Sequence, residues 1–74
     1  MSEQLFAKDR ESLVSVLKTI ITQLIEDNLE HENTHSESYK GILAEEIVRL
    51  EEARGHVCKA LALLEKVDSA EYNP

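Results

Sequence analysis

Aromatic side chains are nearly missing from this chain: Phe6, Tyr39 and Tyr72 are the only ones, and there is no tryptophan. A core built on large rings is therefore excluded, and any core must come from Leu, Ile and Val. Cys58 is the single cysteine, which rules out an intramolecular disulfide. It sits in an apolar run, where a thiol behaves as a small hydrophobe, and a reducing cytoplasmic setting is the expectation. Two glycines and one proline leave few punctuation marks between elements. No apolar run reaches the roughly 18 residues of a membrane span. The start, Met1 to Lys8, lacks the apolar core of a signal peptide. Basic residues are scarce as well: 8 stand against 15 acidic ones, for a formal net charge of -7. Bulk electrostatics thus argue against duplex nucleic acid or an anionic membrane as partner. A basic protein surface, or a small anion held by a few local cations, remains open.

What is present favours helices. Leu, Glu, Ala and Lys dominate a chain of 74 residues, enough for one domain. Phe6, Leu13, Leu17, Ile20 and Leu24 recur at helical spacing and predict a first helix over about residues 5–29. The polar stretch that follows predicts a turn near 30–36. Thr34 followed by Glu37 reads as a capping box that opens a second helix at 37. Leu43, Ile47, Leu50, Arg54, Val57, Leu61 and Leu64 then form a heptad seam that carries the helix to about residue 67. Residues 68–74 show no periodicity and are expected to fray. Gly55 lies inside this helix, where it either admits a close helix approach or is merely tolerated. Folding the chain at the turn sets Leu24 against Leu43, Ile20 against Ile47, Leu17 against Leu50 and Phe6 against Leu61. Arg54 then falls opposite Leu13, within reach of Glu11. The expected fold is all-α, an antiparallel two-helix hairpin.

Two helices cannot cover apolar faces this wide. A chain so short usually needs a staple, and oligomerisation into a helical bundle is the simplest one available. Val14, Leu17, Ile21, Leu24 and Ile25 are the candidate interface on the first helix. Leu50, Val57, Leu61 and Leu64 are their counterparts on the second. A homo-oligomer, dimer or higher, is the expected state.

His31-Glu32-Asn33-Thr34-His35 has the spacing of a zinc-hydrolase motif. That chemistry needs both histidines on one helical face, a third ligand and a walled cleft. The motif falls where the turn is expected, so a solvated turn is the plainer reading. His31 and His35 stay as weak metal candidates, and no enzyme activity or cofactor is expected. Arg54 is a charge on an apolar seam, and such a charge needs a partner. An ion pair that fixes register explains it; so does an anion site between protomers, with Arg49 and Lys59 a turn or two away. Tyr39 and Lys40, at the start of the second helix, pair an aromatic with a cation and suit a nucleotide. The acids Glu45, Glu46, Glu51, Glu52 and Glu65 read as a solvated face, or as a phosphate mimic for a basic target.

The stretch Leu50-Glu51-Glu52-Ala53-Arg54-Gly55-His56-Val57-Cys58-Lys59-Ala60-Leu61 resembles part of the second helix of phage sponge proteins, which soak up cyclic-oligonucleotide immune signals. This resemblance implies an oligomerising helical hairpin that places ligands between protomers. On that footing the expected function is non-enzymatic sequestration of a cyclic nucleotide, as an anti-defence viral protein in the host cytoplasm. Arg54, Arg49, Lys59, Tyr39 and Lys40 are its candidate contacts. The alternatives are an acidic adaptor or inhibitor that binds a protein target, and a structural oligomerisation module.

Overall fold

The computed structural model describes residues 5–72, with side chains from 5 to 70. Two α-helices pack against each other as an antiparallel hairpin: α1, Ala7–Asn33, and α2, Glu37–Tyr72. No strand occurs among the described residues. The molecule is a rod, 58 × 15 × 12 Å, with a radius of gyration of 17.1 Å. A compact globule of this length would have a radius near 11 Å.

Heptad spacing explains the pairing. On α1 the positions turned toward α2 are Phe6, Arg10, Leu13, Leu17, Ile20 and Leu24, continuing through Asp27 and His31. On α2 they are Leu43, Ile47, Leu50, Ala53, Val57, Leu61 and Leu64, ending at Asp68. Among the described apolar residues, only Ile20, Leu24 and Leu43 are buried. The rest of the seam is half-buried, because a two-helix layer shields one side of each residue.

The connection is shorter and later than the sequence suggests. α1 continues to Asn33 and ends at Thr34, whose extended backbone (φ -82, ψ 145) breaks the helix. Residues 34–36 make the whole link, with no positive φ. Ser36, not Thr34, caps α2: its Oγ accepts the Tyr39 N–H at 3.2 Å. Thr34 Oγ1 accepts from the Ser36 N–H at 3.3 Å and shapes the link instead.

A later fold point changes the register. At the turn end Tyr39 meets Glu30 and Glu46 meets Asp27. At the open end Phe6 meets Asp68, one heptad beyond the expected Leu61. Leu24 consequently stands beside the turn of α2 that holds Glu51, not beside Leu43. The expected pairs of Ile20 with Ile47 and Leu17 with Leu50 shift in the same sense.

Residues 68–72 are helical, contrary to the expected fraying; residues 73–74 lie outside the described range. Asp68 holds them. It is 1% exposed. Its Oδ1 accepts the Phe6 N–H at 3.1 Å, and its Oδ2 pairs with Arg10 Nη2 at 3.0 Å. Phe6 is the N-cap of α1 and has no side-chain cap of its own. A carboxylate from the other helix thus satisfies the start of α1 and complements its dipole. Gly55 mediates no close approach: a Cβ there, or at Gly41, would meet nothing within 4 Å.

Candidate interaction surface

α1 carries a second stripe. Val14, Lys18, Ile21, Ile25, Leu29 and Glu32 repeat at three- and four-residue steps, one position on from the seam. At about 100° per residue they fall within about 40° of the Ile25 direction, about a third of a turn from the buried face. Ile25 is 57% exposed and Leu29 53%; Val14 and Ile21 are also exposed. An amphipathic helix has one apolar face, whereas α1 has two.

The stripe forms the floor of a groove. Ile21, Leu24, Ile25, Asn28 and Leu29 line it from α1, and Glu51 and Arg54 stand on its α2 rim, with Glu32 at one end. The empty space is about 730 Å³ and opens to solvent. Val14 and Lys18 line a second groove further along α1, with Arg10 and Glu11 beside them.

Arg54 does not lie on the seam. Its side chain is 47% exposed and pairs with Glu51 at 3.3 Å, one turn back on the same helix. Glu11 is not its partner, since the changed register moves Arg54 beyond its reach and Ala53 takes the inward position. Arg49 lies on a different part of α2, beside Ala44, Val48 and Glu52. Lys59 is exposed, and Lys40 is half-buried at the turn end. The Tyr39 hydroxyl donates to the Glu30 carboxylate. This bond, with Asp27 and Glu46 nearby, raises the phenol above its ordinary pKa. Arg49, Arg54, Lys59, Tyr39 and Lys40 therefore spread along α2 and form no common site within one chain.

Among the candidate interface residues, Val14, Ile21 and Ile25 are exposed. Leu17, Leu50, Val57, Leu61 and Leu64 are half-buried between the helices, and Leu24 is buried within the hairpin. The histidines of the zinc-like motif separate: His31 is in the last turn of α1, while His35 is exposed in the link. Both do not share the helical face that the chemistry requires. Among the described residues no three His, Cys, Asp or Glu side chains are grouped to hold a metal. Cys58 is exposed.

Sequence reasoning missed an acidic corner. Asp27, 4% exposed, accepts from Gln23 Nε2 at 2.8 Å and faces Glu46 from α2. The Asp27 charge, partial burial, the hydrogen bond to Asp27 and the charge of Glu30 all raise the Glu46 pKa. The signal was available: Asp27 continues the Ile20–Leu24 heptad, as Asp68 continues that of Leu61 and Leu64.

No helix among the described residues is long and apolar enough to cross a membrane. Protein-family models, curated proteins and solved structures give no match to this chain.

Proposed function

We propose that the chain is a non-enzymatic association module, a half-core whose missing layer is supplied by helices from outside the chain. The observation that carries this reading is the second apolar stripe on α1, with Val14, Ile21, Ile25 and Leu29 exposed about a third of a turn from the face that packs on α2. The exposed area points the same way. The chain leaves 5807 Å² accessible, whereas a compact protein of its mass would leave about 4,600 Å². Exposed apolar stripes rimmed by charges are a common mark of protein interfaces.

Thermal unfolding across a wide concentration range, with mass measured in parallel, tests the reading. A midpoint that rises with concentration, or a poorly cooperative monomer, supports a missing layer. A monomer that melts cooperatively at one concentration-independent temperature overturns it.

Sequestration of a cyclic nucleotide is a second reading, favoured by Arg54 above an apolar groove. Glu32 and Glu51 line that same groove and oppose a phosphate, and Arg54 is already paired with Glu51. Association therefore ranks first. A melting shift with cyclic di- or trinucleotides, lost in Arg54→Ala, supports sequestration; indifference to all of them removes it.

A further inference from the structure

We infer that the outer face of α1 docks on the same face of a second copy of this chain, antiparallel, about a two-fold axis at Ile25. This inference rests on the association reading above and names its partner.

Self-complementarity of the stripe is the argument. A two-fold interface is isologous, so each residue must suit its mate and the reverse. With the axis at Ile25, the position four before it meets the position four after it: Ile21 packs beside the partner's Leu29. The position seven before meets the position seven after: Lys18 lies beside the partner's Glu32. Ile25 meets the partner's Ile25. All five positions share one helical face. Apolar matches apolar, and cation matches anion, in both directions.

Charge also selects the occupant. The two grooves along this face hold three cations, Arg10, Lys18 and Arg54, and three acids, Glu11, Glu32 and Glu51. With Asp68, which holds Arg10, this face is close to neutral at one net negative charge, although the chain as a whole carries -7. A uniformly basic partner would suit the rest of the surface, but not this face. Glu32, at the end of the groove, is the acid that would lie beside the partner's Lys18, whereas Glu26 and Glu30 fall on the opposite flank of α1, where Glu30 holds Tyr39. Apolar contact supplies the affinity, and the charged ends set the direction and register.

Charge reversal and its rescue test the inference on the full chain. Sedimentation equilibrium should show a dimer. Lys18→Glu and Glu32→Lys should each weaken it about tenfold, since each reversal removes both symmetry-related pairs. The double variant K18E/E32K should return within about threefold of the original, because the swapped pairs reform. Helical circular dichroism should stay constant throughout. Ile25→Cys in a Cys58→Ala background should oxidise to a covalent dimer, and Val48→Cys in that background should not. An assembly that ignores both reversals, or a reversal that the swap fails to rescue, overturns the two-fold at Ile25 and leaves the association reading standing. A monomer at every concentration also overturns it. The cooperativity of melting then decides separately whether the hairpin needs a foreign helical layer.

Discussion

Asp68 does three things at once: it accepts the first free N–H of α1, neutralises Arg10, and keeps the last turns of α2 in register. Removing the buried carboxylate takes the acceptor from the Phe6 N–H and the near ion-pair partner from Arg10. Asp68→Ala should therefore cost about 3 kcal/mol, measured by chemical denaturation. Asp68→Asn keeps an acceptor for Phe6 and should cost less; equal losses would mean that the Arg10 charge, not the cap, carries the effect. Gly41 and Gly55 present the opposite case. Both are helical, and nothing lies within 4 Å of a Cβ at either position. Gly41→Ala and Gly55→Ala should each raise stability by about 0.5–1 kcal/mol through restricted unfolded conformations. A loss in Gly55→Ala would reveal a close contact absent from the isolated hairpin. These residues mark where sequence reading stops. The apolar heptads were legible because their period is their physics. The heptad position of Asp68 was legible but its role was not, since the carboxylate gains meaning from Arg10 and Phe6, which lie at the other end of the chain.

At the scale of the helices, two elements and their antiparallel packing follow from the sequence, but their register does not. Thr34 and Ser36 are both good caps, and each shift of the fold point moves every cross-helix pair. The acidic corner is a product of that register: Asp27 and Glu30 on α1 face Glu46 and Tyr39 on α2. It makes the hairpin sensitive to pH in a definite sense. The folded state holds the Glu46 proton more tightly than the unfolded chain, whose carboxyl titrates near 4.5. This contribution is fully present below that pH and is lost as pH rises through the raised folded value. Glu46→Gln imitates the protonated form at every pH. The variant should match the original near pH 4 and exceed it in stability at pH 7, as read from paired melts across that range. A difference that stays constant with pH would exclude proton linkage at Glu46.

For the whole molecule, the decisive quantity is how much surface unfolding exposes. Among the described residues the hairpin buries three apolar side chains, Ile20, Leu24 and Leu43, while Val14, Ile21, Ile25 and Leu29 stay in water beside it. Denaturant sensitivity scales with the area uncovered on unfolding. A lone hairpin should thus unfold with a shallow slope, and an associated one with a steeper slope. Ile25→Glu separates the two states: it sets a charge on the outer stripe and leaves the seam of Ile20, Leu24 and Leu43 untouched. Its monomer should retain helix by circular dichroism, unfold with a lower slope per chain than the original, and lose concentration dependence. In the original, each tenfold rise in concentration should add about 1.4 kcal/mol per dimer. Equal slopes in both proteins would mean that association covers no apolar area. The stripe on α1 would then serve some surface other than a second helical layer, and the half-core would have to be stable as it stands.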